Sequence, residues 1–425
     1  VDVINISDAS GSELGRLFLQ ERGAATFYGK GATTMRSLKT LSALALLAGA
    51  LVILRLAMPA TARAGEVPGN VPAASGGYRV LAPITHGNLT IFPVVAASTH
   101  DTQNLITLDE GLRSGEVIVT EAGQVQPLMR RRGTPTRYRG DGAQVNQLVL
   151  VNNSKRPLLL LAGEIVTGGK QDRVIGKDRI VPAESDPIDL GVFCVEPGRW
   201  VAQSDKFGGL SAQMAQPSVR AKAMAAKNQE QVWAEVGRSR QAAADAVAAS
   251  APAMDASGGI GGGATASEVL GMSSYARVMD NKAVKAQVDS VAEPMQRSYD
   301  TVIRQLKNQN AVGVVVAING EIEWVDIFAS TDLLQRYWRK LVRSYAAETI
   351  GVRQAKYSPV SVKEAQAFLE DWGGKRQTVE TEPGLYRHVE VAGRGFRAFQ
   401  LTSLLPKTGY DLHLSKMAEE QMIGD

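Results

Sequence analysis

Cysteine is nearly missing from this 425-residue chain, and Cys194 is the only one. A single thiol excludes an intramolecular disulfide framework and every zinc centre built on several cysteines. In an apolar stretch such as Val192-Phe193-Cys194-Val195 it reads as a small core residue. Histidine is scarce too. The four residues His86, His100, His388 and His413 have no metal-ligand spacing, so no transition-metal site is expected. Charge of either sign is in small surplus. Most of the formal +4 sits in residues 1–64, and the remainder is close to neutral. That balance argues against nucleic acid as a partner. It makes the cluster Arg130-Arg131-Arg132 with Arg137 and Arg139 a solvated loop. Long apolar runs are absent except over residues 41–54.

That one run has the make-up of a targeting segment. Met35-Arg36-Ser37-Leu38-Lys39 gives a basic start, and Ala62-Arg63-Ala64 gives a small-x-small cleavage pattern before Gly65. Residues 35–64 therefore read as a signal peptide. The alternative is an uncleaved membrane anchor, since residues 41–58 are about long enough to span a bilayer. The expected location is extracytoplasmic, periplasmic or secreted, with membrane contact only through this segment. Residues 1–34 read as upstream sequence ahead of the true start at Met35, and residues 65–77, rich in Gly, Pro, Ala and Ser, as a linker.

The rest predicts an α+β protein. Short Val, Ile and Leu runs punctuated by Gly, Asn, Pro or Asp predict strands at 78–84, 89–96, 115–120, 144–151, 157–163, 174–181 and 190–195. Together they make a β-rich N-terminal domain over 78–205 with a sandwich- or barrel-like core. A helical and mixed second half follows over 206–350. The Ala-rich stretch 219–247 favours helix, and a second helix is expected over 281–308, kinked or split by Pro294. Between them, near 250–266, the glycines 258–259 and 261–263 read as a flexible loop, because no strand precedes them as a nucleotide loop would need. Asn319-Gly320 suits a type I′ hairpin between 313–318 and 322–328. Thr331 or Asp332 can cap the helix that follows. Over 351–425 a helix opens with the capping-box spacing of Ser361 and Glu364, and closing strands are expected at 378–391 and 396–404.

The chemistry concentrates where the leucine run 158–161 meets Gly163-Glu164, followed by Gly168-Gly169-Lys170-Gln171-Asp172-Arg173. A phosphate-cradling P-loop is excluded: Lys does not directly follow Gly168, and the next segment reads as strand rather than helix. A carboxylate such as Glu164 is costly to bury without a partner. It is expected at a strand end, as a general base or ligand anchor, or in a salt bridge with Arg173 or Lys170. Gly168 and Gly169 would let backbone amides approach a ligand, Lys170 and Arg173 would clamp an anion, and Gln171 would orient it. A second apolar strand ends in Glu196-Pro197-Gly198-Arg199-Trp200. If the two strand ends meet, Glu164 and Glu196 form a catalytic carboxylate pair, with Arg199 as a further cation and Trp200 as a stacking platform. Two carboxylates among arginines suit acid–base hydrolysis, an anionic ligand or a hard divalent ion. No motif requires a cofactor.

The motifs Leu161-Ala162-Gly163-Glu164, Gly168–Arg173, Val181-Pro182 and Phe193–Trp200 resemble the domain family named for its association with ADP-ribosylglycohydrolase and rhodanese-phosphatase proteins. Gln231-Val232-Trp233, Val325-Asp326-Ile327-Phe328-Ala329-Ser330, Tyr337-Trp338 and Ser344-Tyr345 fit the same pattern. The resemblance covers roughly residues 78–350 and implies a link by association to ADP-ribose or related nucleotides, with no established reaction. The expected function is an exported domain that binds, and with its two carboxylates could hydrolyse, a small anionic ligand of nucleotide or ADP-ribose type. The competing expectation is a non-enzymatic binding or scaffolding module of the cell envelope.

Overall fold

The computed structural model describes residues 77–122, 146–208, 213–250, 265–306, 309–352 and 358–419. The leader, nearly all of the linker, the arginine cluster at 130–132 and the glycine-rich loop lie outside them. No helix among the described residues is long and apolar enough to cross a membrane.

The α+β expectation holds, and the β-rich half contains a barrel. Strands β1 (Tyr78–Val80), β2 (Ile84–His86) and β3 (Leu89–Ala96) come first, then β4 (Ile106–Thr107), helix α1 (Leu108–Ser114), β5 (Val117–Glu121) and β6 (Gln147–Asn152). The leucine run forms β7 (Leu158–Leu160), followed by β8 (Ile165–Gly168), β9 (Arg173–Ile175), β10 (Arg179–Val181), β11 (Ile188–Cys194) and β12 (Phe207–Gly208). A closed barrel runs β11-β6-β5-β12-β8-β9, and β10-β7-β4 make a small separate sheet. The stretch expected as one strand over 174–181 is two, because Gly176-Lys177-Asp178 turns the chain between β9 and β10.

Strands β1 to β3 leave the barrel. They join β13 (Asn310–Ile318), β14 (Glu321–Phe328), β15 (Gly374–Glu382), β16 (Tyr386–Gly393), β17 (Phe396–Ser403) and β18 (Asp411–Ala418) in a nine-stranded antiparallel sheet. In it β3 pairs with β13 from Ala96↔Asn310 to Leu89↔Ile318. The first three strands therefore complete a sheet that the far end of the chain supplies. The Asn319-Gly320 hairpin forms as expected, with φ of 50° and 81°, the left-handed pair a type I′ turn needs.

The helices are α2 (Pro217–Ala221), which runs into a π-turn at Lys222–Ala226, then α3 (Gln229–Ser250), α4 (Ala266–Gly271), α5 (Tyr275–Asp280), α6 (Lys282–Gln305), α7 (Thr331–Glu348) and α8 (Val362–Glu370). Helix α6 runs unbroken with Pro294 inside it. Ser330, one residue before the expected caps, caps α7 by accepting from Leu333 N. The Ser361–Glu364 capping box is present. Three apolar cores follow from strand alternation. Leu158 and Leu160 point into the barrel interior, while Leu159 and Leu161 join the core shared with α3, α6, α7 and one sheet face. The opposite sheet face, with Phe92, Val315 and Ile327, is covered by Leu369 of α8 and by Trp372 just beyond its end. A polar residue in the leucine run would face an apolar core on either side, which is why the run carries none.

Gly313 marks the tightest backbone approach in the sheet. A Cβ there would lie 2.2 Å from the Asp326 carbonyl oxygen, where β13 shifts register against β3. Gly313→Ala is expected to cost about 3 kcal/mol through displaced backbone, read as a lower urea midpoint at unchanged slope.

Candidate functional site

The two carboxylates expected to form a pair are both buried, Glu164 at 1% exposure and Glu196 at 2%, and each is held by its own set of partners. Gly163, at φ 93°, turns the chain after the leucine run and points Glu164 back over it. Glu164 Oε2 accepts from Leu161 N at 2.7 Å, and Oε1 accepts from Lys340 Nζ at 2.5 Å. Lys340 also donates to Asp109 Oδ2 at 2.7 Å. Burial pushes the Glu164 carboxyl up against the pull of Lys340. The salt bridge is thus made to α7, and not to Arg173 or Lys170. Glu196 instead accepts from Arg199 at 2.5 Å and from Asp172 N at 3.0 Å. No hydrogen bond or ion pair joins Glu164 to Glu196 among the described residues, and each acid is closed off from solvent by its own partners rather than paired with the other.

The Gly168–Arg173 turn does bind anions, but they are its own. Gly168 N donates to Asp172 Oδ1 at 2.9 Å, Lys170 N to Glu121 Oε1 at 2.8 Å, and Gly169 N to Ser204 Oγ at 3.2 Å. Successive amides form a concavity suited to carboxylates, and Glu121 and Asp172 fill it. Gly169 cannot carry a side chain, since a Cβ would meet the Phe207 ring at 2.2 Å. Arg199 ties the turn from outside, donating to the carbonyl of Gly169 at 2.9 Å. Gln171 Nε2 donates to Glu196 O at 3.0 Å, and the fully buried Arg173 donates to Gln171 O at 2.7 Å. Of the expected ligand-binding side chains Trp200 is exposed and Lys170 and Arg199 are partly exposed, with the Lys170 ammonium 4.8 Å from the centre of the Trp200 ring. Cys194 is buried, and its thiol is pushed up by that burial, in keeping with a core residue.

The strongest charge cluster lies where barrel and sheet meet. Arg220, on α2, donates to both oxygens of Asp326, at 2.9 and 3.1 Å. Tyr345 Oη donates to Asp326 at 2.5 Å. His413 bridges Asp326 at 3.2 Å and Asp178 at 2.6 Å, and Asp178 also accepts from Ala162 N at 2.7 Å. All four charged side chains are fully buried. Burial opposes the charge on His413, but Asp178 and Asp326 outweigh it and raise its pKa from 6.5 to about 9. Burial likewise opposes the Asp326 charge, yet Arg220 and His413 hold its carboxyl well below the usual range. Two cations and two anions thus neutralise one another. Gly163 has a place here too, because a Cβ on it would lie 2.6 Å from Arg220 Cγ. Sequence reasoning missed Lys340, Asp109, Asp178, Arg220 and His413. The readable signals were a charged residue within an apolar strand, as in Val325-Asp326-Ile327 and Leu412-His413-Leu414.

The open chemistry is elsewhere, in a cavity of about 740 Å³ bounded by α1, β12, α5, α6 and α7. Arg336, Arg339, Lys340 and Arg343 on α7 line it, as do Arg113 on α1 and Lys206 beside β12. Arg336 is paired with Glu110, Lys340 with Asp109 and Glu164, and Arg343 with Asp289. Arg113, Lys206 and Arg339 are exposed and have no carboxylate partner among the described residues. Lys340 joins the two regions: it lines the cavity and reaches back to Glu164. No cluster of His, Cys, Asp or Glu suited to a metal ion exists among the described residues.

Asp326→Asn is expected to cost about 3–5 kcal/mol in chemical unfolding, because it leaves Arg220 buried beside a neutral amide. His413 sets a pH dependence. Its folded pKa of about 9 lies above the ordinary 6.5, so its stabilisation is complete below about pH 6.5 and is lost as pH rises through 9. Wild type should lose a few kcal/mol more than His413→Gln between those limits, measured by urea unfolding at each pH.

A family model described as the ARG and Rhodanese-Phosphatase-superfamily-associated Protein domain matches residues 77–417. Searches of curated proteins and of solved structures returned no match. The matched span runs from the residue before β1 into β18 and takes in the barrel, the sheet, the buried charge cluster and the cavity. The chain belongs to the ARG and Rhodanese-Phosphatase-superfamily-associated Protein domain family.

Proposed function

We propose that this protein binds a small anionic ligand in the cavity beside α7. The observation that carries the reading is that three cations facing the cavity, Arg113, Lys206 and Arg339, lack the carboxylates that neutralise their neighbours. Cations clustered on a concave wall raise the local concentration of anions, and arginine can grip a carboxylate or phosphate in two-point fashion. The volume of about 740 Å³ suits a ligand of nucleotide size. The ADP-ribose end of that range rests only on the sequence resemblance.

Binding is better supported than hydrolysis through Glu164 and Glu196, since both have their partners inside the protein. Glu164 acts through Lys340 as a positioning residue, and the partly exposed Lys170 lies beside the exposed Trp200 in a separate place next to the turn. One observation favours a hydrolytic second reading: Asp109 lines the cavity against Lys340, so an acid–base step would fall to that pair. The leader-like segment at 35–64 supports an extracytoplasmic location, which fractionation of the expressed full-length protein tests directly.

Calorimetric titration with ADP-ribose, AMP, inorganic pyrophosphate and uncharged ribose tests the reading. At least one of the three anions should bind saturably while ribose does not. Arg339→Ala should weaken that binding about tenfold, the loss of one charge-assisted contact, with the melting temperature of the free protein unchanged. Indifference of all three anions to Arg339→Ala and Arg113→Ala together removes the proposal. Turnover of ADP-ribose by wild type that stops in Asp109→Asn would convert the binding reading into the hydrolytic one.

A further inference from the structure

The cavity beside α7 offers an incoming molecule a narrow range of chemistry. Its neutral polar side chains are Gln213, Tyr275 and Ser344, and each is engaged inside the protein. Ser344 Oγ donates to Ala215 O at 2.6 Å. Tyr275 Oη accepts from Gln216 N at 3.0 Å and donates to Gln216 Oε1 at 3.3 Å. Gln213 Nε2 donates to Ala276 O at 3.3 Å, and its Oε1 is closed from solvent. Of the lining carboxylates, Asp109 is held by Lys340 and Asp280 attracts Arg343. The lining aromatics are closed as well. Phe207 is 4% exposed and Tyr275 2%, so neither presents a ring face on which a base could stack.

The groups left free are cations, and they do not share one wall. Arg113 stands in the last turn of α1, Lys206 directly before β12 and Arg339 within α7, all three exposed. Lys285, exposed on α6, adds a fourth direction, and it shares the single acid Asp289 with Arg343. One phosphate group is small against a volume of about 740 Å³ and meets one wall at a time. A chain of linked phosphate groups meets several at once, and each added group brings charge and acceptor oxygens that guanidinium and ammonium groups match.

We propose that the ligand of this cavity is an oligophosphate, two or more phosphoryl groups linked in a row, gripped through the phosphates alone. The inference rests on the reading of the cavity as an anion site and goes further by naming what is recognised. Arg113, Lys206 and Arg339 hold the row from three sides. A nucleoside or sugar attached to it finds no stacking face and no free neutral partner among the described lining residues, so it adds nothing to the affinity. The row can be a free chain or the phosphate part of a nucleotide, and comparison of tripolyphosphate with ATP separates these two sources.

Calorimetry on the full chain, in buffer free of divalent cations, compares orthophosphate, pyrophosphate, tripolyphosphate, AMP and ATP. Affinity should rise along the first three, with tripolyphosphate at least about tenfold tighter than orthophosphate, and should weaken as salt is added. AMP should bind as orthophosphate does, and ATP no more tightly than tripolyphosphate. Equal affinity of ATP and tripolyphosphate admits both sources of the row, and weaker binding of ATP makes the free chain the occupant. Arg113→Ala, Lys206→Ala and Arg339→Ala should each weaken tripolyphosphate by about tenfold, whereas Lys170→Ala, outside the cavity, should not. The substituted side chains are exposed, so all four variants should melt as wild type does. Orthophosphate bound as tightly as tripolyphosphate overturns the proposal, and so does AMP or ATP bound about tenfold more tightly than the bare phosphate chain of the same length. In both cases the cavity remains an anion site. Sensitivity of tripolyphosphate to only one of the three cavity substitutions also overturns it, because the ligand then touches one wall. If no anion of the series binds, this inference and the anion-site reading fall together.

Discussion

One carboxylate, Asp326, holds the two halves of this fold in register. It sits in the middle of β14 with no exposure and takes contacts from α2, α7 and β18 through Arg220, Tyr345 and His413. His413 passes the connection on to Asp178 in the β9–β10 turn, and Asp178 secures Ala162 at the end of the leucine run. Removing such charges from water is costly, and well-packed apolar residues would often stabilise as much or more. A charge network is therefore poor evidence of high stability. Its contribution is directional. Apolar cores of Val, Leu and Ala tolerate sliding and repacking, whereas a two-point Arg220–Asp326 contact fits only one placement of the barrel against the sheet.

The network also explains the state of its only histidine. Arg220 alone cannot neutralise both Asp326 and Asp178, so the imidazole of His413 keeps its proton. His388 shows the contrast. It too is buried, but neither ring nitrogen has a partner among the described residues, and burial lowers its pKa. Two histidines at similar depth are driven in opposite directions by the presence or absence of contacting carboxylates.

Much of the fold was legible in the sequence. Strands with uninterrupted branched residues, the Asn319-Gly320 hairpin and the Ser361 capping box are local patterns with local causes. Helix α1 carried the same kind of signal in Thr107 and Glu110, a capping box that the structure confirms, but a seven-residue helix between two strands has too little apolar periodicity to stand out. The association of β1–β3 with strands more than 200 residues later was not legible, because partner choice among antiparallel strands is set by long-range packing. The site shows the same division. Sequence located the turns where charge gathers after apolar strands. It could not show that Glu164 would find Lys340 on a distant helix, or that the amides of the glycine turn would be taken by Glu121 and Asp172.

This difference bears on how polar motifs of the Gly-Gly-Lys-Gln-Asp-Arg kind should be understood. A turn that gathers amides and cations beside carboxylates has the composition of a ligand site whether the anion arrives from solution or from the chain. Free capacity separates the two cases. At the Gly168–Arg173 turn the amides are occupied and Arg173 lies wholly inside. Around the cavity on α7 the acids run out before the cations do. Lys340 stands between these regimes, since its one ammonium faces the cavity and is shared by Asp109 and Glu164. An anion entering beside it would compete with Asp109 for that ammonium, while the Glu164 contact, deeper and anchored on Leu161 N, would remain. The buried acid thereby fixes the position of the lysine and lets the more exposed acid be the group that responds to a ligand.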